Sequence, residues 1–128
     1  MAKVNVEADC GNAPKKLFVR DLMVGIADND IAFILDCLTD DIHWQLVGRH
    51  STTRKTEVED LLNDWLPEHI DEMTIVSIIS HGDECSTDGI MISRDGKTFA
   101  FCHVCKFNGH GKKAKIKAIR TYVIDERG

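Results

Sequence analysis

The chain predicts an α+β fold, a cone-shaped, curled antiparallel β-sheet of one strand plus a four-stranded meander, packed on three N-terminal helices. Three observations predict it. Between residues 13 and 65 apolar residues recur mostly at helical spacing. From Met73 onward the period drops to two. Turn signals then recur at Gly82-Asp83, at Asp95-Gly96 and from Asn108 to Gly111, the punctuation of a meander.

Residues 1–11 mix charged and small residues without periodicity and are expected to form a flexible N-terminal arm, with residues 12–128 as a single domain. Asn12 is a plausible N-cap, and Pro14 sits in the first turn, where its missing donor is harmless. The helix that follows runs to about Ala27, with Phe18, Leu22 and Ile26 at spacing four beside Val19 and Met23. A second helix, capped by Asp28 or Asn29, places Ile31, Ile34, Leu35 and Leu38 on one stripe and ends near residues 39–41. Ile42, Trp44 and Leu46 alternate with His43, Gln45 and Val47, which reads as a strand closed by Gly48. Residues 49–55 read as an exposed loop. Thr56 to Glu59 has the form of a capping box, and Val58, Leu61, Leu62 and Trp65 make the stripe of a third helix that Pro67 stops. The four strands expected after it span residues 73–81, 85–94, 98–107 and 113–124.

The strand Thr98 to Phe107 is the centre of that meander. Its alternation sets Phe99, Phe101, His103, Cys105 and Phe107 on one face and Ala100, Cys102, Val104 and Lys106 on the other. An aromatic face with one titratable group in it is either core or the wall of a small-molecule pocket. His103 accordingly has two readings, a buried histidine satisfied by a neighbour or a neutral ring presented to a ligand. The Cys102-His103-Val104-Cys105 spacing suggests zinc or redox chemistry only superficially, because residues three apart on a strand face opposite ways. The run from Asn108 to Lys113 lacks phosphate-loop spacing and is expected to be a hairpin turn.

Composition narrows the function classes. One domain of 128 residues can bury roughly two thirds of its unfolded surface. A net charge of -5 gives no electrostatic footprint for nucleic acid or an acidic membrane. Five cysteines in no scaffold-like spacing, and a start from Met1 to Glu7 without a signal-peptide apolar core, lead to an expected cytoplasmic location with free thiols. No apolar run reaches membrane-spanning length, and no metal or other cofactor is expected.

The element order, together with Ala27-Asp28-Asn29-Asp30, Asp40-Asp41-Ile42-His43-Trp44, Ser80-His81-Gly82-Asp83, Phe107-Asn108-Gly109-His110-Gly111 and Lys115 to Tyr122, resembles the nuclear transport factor 2-like superfamily, in its SnoaL-like and ketosteroid isomerase-like branch. The resemblance covers about residues 13–125. It implies a cystatin-like α+β roll with a pocket in the cone, and a homodimer through the outer sheet face that holds Ala100, Cys102 and Val104. It also implies catalytic positions that this chain mostly fails to fill. The general base falls on Gln45 or Leu46, the oxyanion tyrosine close to Leu22, and the second oxyanion donor on His103.

The expected function is therefore binding of a small apolar molecule, with His103 at the wall and Trp44, Gln45, Leu22, Phe99, Phe101 and Cys105 as candidate ligand contacts. The alternative is an isomerase- or cyclase-type enzyme acting on an apolar carbonyl compound, with His103 as general acid or base. Gln45, His43 or Asp21 would then have to supply the second polar group. A protein-binding adaptor is the third reading, and no nucleic acid or membrane partner is expected.

Overall fold

In the computed structural model, which describes residues 2–126, seven strands form one open, curled sheet against three helices. Helix α1 spans Pro14–Ala27 and α2 spans Ile31–Asp36. Helix α3, Val58–Asn63, follows a single 3-10 turn at Lys55–Glu57. The strands are β1 Lys3–Val6, β2 Leu38–Leu46, β3 His50–Thr52, β4 Ile70–His81, β5 Glu84–Ser93, β6 Thr98–Phe107 and β7 Ile116–Glu126. Their order in the sheet is β1-β4-β5-β6-β7-β2-β3. None of the described helices is long and apolar enough to cross a membrane.

The meander β4 to β7 is antiparallel as its turns require, but the sheet as a whole is mixed. Strand β2 runs parallel to β7, pairing Trp44 with Ile119 and Leu46 with Thr121. The expected arm is also corrected, since Lys3–Val6 add a strand parallel to β4. Alternation could not announce a strand of four residues. Asn5 fastens it by a side-chain hydrogen bond of 2.7 Å to Glu72.

Other boundaries shift for local reasons. Helix α2 stops at Asp36, not at residues 39–41, because Leu38 fits the inward face of a strand as well as a helical stripe. The register slip between Leu38 and His43 lets Thr39, Asp40 and Asp41 pass through the strand. The α2 cap is Asp30, whose carboxylate accepts from the Phe33 amide at 3.2 Å. Asn29, at φ 55°, makes the left-handed turn between the helices. Neither Asn12 nor the Thr56–Glu59 pattern caps a helix: Ala13 and Glu57 hold the cap positions without side-chain bonds. Within the expected loop of residues 49–55, His50–Thr52 pair with the end of β2.

The core lies between α1 and the concave face of the sheet. Val19, Leu22, Met23 and Ile26 are buried on α1 against Met73, Ile75, Met91, Phe101 and Phe107 of the strands. At fourteen residues α1 would be marginal alone, so this packing holds it, at about 1.5–3 kcal/mol per buried side chain.

Strand β4 slips register between Ile75 and Ser77, an irregularity of the kind that bends a strand. Gly89 of β5 lies against that slip. A Cβ added there would stand 2.0 Å from the Thr74 carbonyl oxygen and 2.8 Å from Phe101 Cζ. Backbone occupies the space, so Gly89→Ala should lower the unfolding free energy by about 2–4 kcal/mol. Urea denaturation measures this, and an unchanged midpoint would show that β4 yields freely.

Candidate functional site

The concave face carries one polar row across three strands. Register pairs Thr87 of β5 with His103 of β6, and His103 with Thr121 of β7. All three are buried, with 2 % of His103 exposed. Strand pleating explains the row. Thr87 alternates inward between Cys85 and Gly89, His103 between Phe101 and Cys105, and Thr121 between Ile119 and Val123.

Thr121 is the junction of the row. Its Oγ1 accepts the Trp44 indole N–H at 2.8 Å and lies 2.8 Å from His103 Nδ1. The parallel pairing of β2 with β7 brings Trp44 there, opposite Ile119. Thr87 instead donates its hydroxyl to the Ser77 carbonyl at 3.0 Å.

The other side of the imidazole is aromatic and unsatisfied. The Trp65 and His103 ring centroids lie 5.3 Å apart at 56°, and those of Phe101 and His103 lie 5.4 Å apart at 35°. His103 Nε2 and Trp65 Nε1 are both buried without a hydrogen-bond partner among the described residues. An unmade bond on a buried polar atom costs on the order of 1–3 kcal/mol. Both atoms belong to rings in contact. Desolvation holds the His103 pKa down to about 3, so the ring is neutral. A neutral imidazole with one engaged nitrogen can exchange one hydrogen bond with an uncharged group.

Sequence reasoning named some of these residues and missed others. Trp44, Phe101 and His103 converge as described, and Leu22 and Cys105 are buried in the same core. Phe99 is only half-buried. It floors a surface hollow of about 370 Å³ rimmed by Pro67, Glu68, His69, Arg94 and Lys97. Gln45 is exposed on the opposite face of β2, as is His43, because Ile42, Trp44 and Leu46 take the inward positions. Asp21 is exposed too, bonded to Arg20 at 3.1 Å. Cys102 and Cys105 lie on opposite faces of β6, and burial moves the Cys105 thiol further up than that of Cys102. Thr87 and Thr121 were missed, although a polar residue at an inward position of each alternation was the available signal. Trp65 read only as a stripe residue. It stands past the end of α3, in a turn where its amide donates to the Leu62 carbonyl at 3.2 Å.

A second hollow of about 330 Å³ lies on the other side of the Pro67–Glu68 segment, lined also by Ile26, Asn63, Leu66 and Ile70. The segment after Trp65 therefore separates two surface openings. Just before Trp65, Asp64 is held by Arg49, which precedes β3 and donates to its carbonyl at 2.7 Å, and by His50 Nε2 of β3, 2.8 Å from its carboxylate.

Two outcomes follow. Thr121→Val keeps shape but strands the Trp44 N–H and His103 Nδ1, and should cost about 2–4 kcal/mol in chemical denaturation, where a loss under 0.5 kcal/mol would contradict the junction. The second concerns pH. His103 has a depressed folded pKa, so between about 6.5 and 3 the unfolded chain binds the extra proton and stability falls as pH falls. From pH 6.5 to 5 wild type should lose up to about 1.4 kcal/mol per pH unit more than His103→Gln, which does not titrate. Parallel curves for the two proteins would show that the ring titrates alike folded and unfolded.

No protein-family model matches the chain, and no curated protein matches it. Solved structures do. A nuclear transport factor 2-like protein of unknown function from Burkholderia xenovorans LB400 superposes with a TM-score of 0.73 at 16% identity, covering 92% of this chain and 90% of that one. A putative ketosteroid isomerase from Kribbella flavida DSM 17836 gives 0.71 at 9% identity over 90% and 81%. An LEH-like epoxide hydrolase from M. tuberculosis gives 0.67 at 18% identity over 87% and 83%. At these identities the shared property is the backbone architecture, and the chain has the nuclear transport factor 2-like fold.

Proposed function

We propose that the protein binds a small apolar molecule inside the curled sheet, with the ligand body against Trp65 and Phe101 and its polar end at His103. One observation carries this reading: two buried polar nitrogens on touching rings have no partner among the described residues, in a core whose other side is bonded through Thr121. Native cores pair such groups, and a polar pair left open beside aromatic walls is what a ligand site requires. The hollow over Phe99 is the route that best fits the inward stripe. Phe101 comes next along β6 and His103 after it. Movement of the segment from Trp65 to His69 would open that route.

The acid–base alternative has less support. A ring whose pKa is held near 3 is a poor proton carrier at neutral pH. The second groups it would need, Gln45, His43 and Asp21, are all exposed outside the row.

The outer sheet face suggests a second copy of the chain as partner. Ile79 and Ile124 are 62% and 65% exposed there, and Ile90 and Tyr122 are exposed with them. Ala100, Cys102 and Val104 fill the rows between. Apolar surface of this kind calls for cover.

Solvent extraction of protein purified from its native cells, followed by mass spectrometry, should release one apolar organic molecule at near-stoichiometric amount. An empty extract from protein that also fails to bind any small apolar probe would overturn the ligand reading. For assembly, sedimentation equilibrium at micromolar concentration should give a dimer, and Tyr122→Lys with Ile124→Glu a monomer. Wild type sedimenting as a monomer refutes the dimer.

A further inference from the structure

The loop of residues 108–115 walls a separate hollow of about 310 Å³, at the other end of β6 from Phe99. The loop is closed on itself. The Asn108 amide donates to the Lys115 carbonyl at 2.9 Å, the Lys115 amide to Asn108 Oδ1 at 3.0 Å, and the Ala114 amide to the Gly111 carbonyl at 3.1 Å. His110 and Lys112 of this loop share the hollow with Lys15 and Phe18 of α1. Phe18 packs edge-on against Phe107, with ring centroids 5.2 Å apart at 75°, and Lys15 Nζ stands 5.5 Å over the Phe107 ring. An aromatic wall therefore meets a cationic rim.

Charge sets this hollow apart from others on the surface. Three hollows of about 300, 330 and 370 Å³ each include a carboxylate: Asp21 and Asp36 beside Lys113 and Lys115, Glu68 beside Asn63, and Glu68 and Asp95 beside Arg94 and Lys97. No acidic residue lines the hollow at Phe18, in a chain with 21 acidic and 16 basic residues. Its ammonium groups are also free. Lys55, Lys97 and Lys115 each have a carboxylate at 3.5–3.8 Å, whereas Lys15 and Lys112 have none among the described residues. The Ser80 hydroxyl, which lines the same hollow, has no hydrogen-bond partner among the described residues. Like charges gathered in a concave site without a counter-charge leave a local positive potential on an acidic protein.

We propose that this hollow binds a small phosphate monoester with a flat apolar body, its phosphate held by Lys15, Lys112 and the Ser80 hydroxyl and its body against Phe18. Two free ammonium groups match the nearly two charges of a phosphate monoester, where a carboxylate would leave one of them uncompensated. Inorganic phosphate would leave the aromatic wall unused. The site stands apart from His103 and does not depend on the ligand reading above.

The test is a titration of the full chain with 1-naphthyl phosphate at low salt, followed by amide NMR. Saturable shifts should appear at Ser80, Gly82, Gly111 and Ala114. Lys112 is exposed, so Lys112→Glu should keep the rest of the spectrum and weaken binding about ten-fold or more. Lys97→Glu makes the same change in net charge at the other end of β6 and should weaken it less than about two-fold. 1-Naphthol and inorganic phosphate should each bind about ten-fold more weakly than the ester that joins them. Absence of saturable shifts at these amides overturns the proposal, as do equal losses in the two charge reversals, which would make net charge the cause. Naphthol or inorganic phosphate binding as tightly as the ester overturns it too.

Discussion

A single hydroxyl, Thr121 Oγ1, joins the two halves of the concave face. It accepts the indole of Trp44 from β2 and bonds the imidazole of His103 from β6, and it stands on β7 between them. Without it, two ring nitrogens in a low-dielectric core would lose the partner each has among the described residues, and such losses are large where water cannot substitute. The bond also orients the imidazole. One nitrogen is bonded to Thr121, and the other has no hydrogen-bond partner among the described residues.

The backbone constraints that make this junction possible lie elsewhere in the sheet. Parallel pairing of β2 with β7 requires a long excursion between them, and the meander with its helix α3 is that excursion. The register slip in β4, accommodated by Gly89, bends β4 and β5 so that the meander curls over α1. Curling turns the odd-numbered residues of β6 toward the helices and the even-numbered ones toward the outer face. The same pleat thus separates a buried inner wall containing Phe101 and His103 from an outer surface containing Ala100, Cys102 and Val104.

Much of this was legible in the sequence, and the failures have physical causes. Strong periodicity found α1 and the meander, because fourteen residues of helix and ten of strand each repeat their pattern several times. Leu38 misled the end of α2 because one residue satisfied two periods. Lys3–Val6 and His50–Thr52 were missed because strands this short are defined by their neighbours, β4 and β2, not by their own residues. At the site, alternation along β6 set His103 inward but said nothing of which strand would face it. Thr121 and Trp44 are 77 residues apart, and only the parallel β2–β7 register brings them together. Trp65 was legible as apolar and illegible as a donor, since its role depends on a turn after α3 that no stripe encodes.

The proposed ligand site requires that the side of the imidazole next to Trp65 open without global unfolding, while Thr121 holds the other side closed. Hydrogen exchange of the two indole N–H groups tests it most directly. The Trp44 proton should exchange only through global unfolding, and the Trp65 proton through an opening several kcal/mol less costly, insensitive to low denaturant. Exchange of both indoles at the global rate would mean that the core around His103 never opens in the folded state, which contradicts the account.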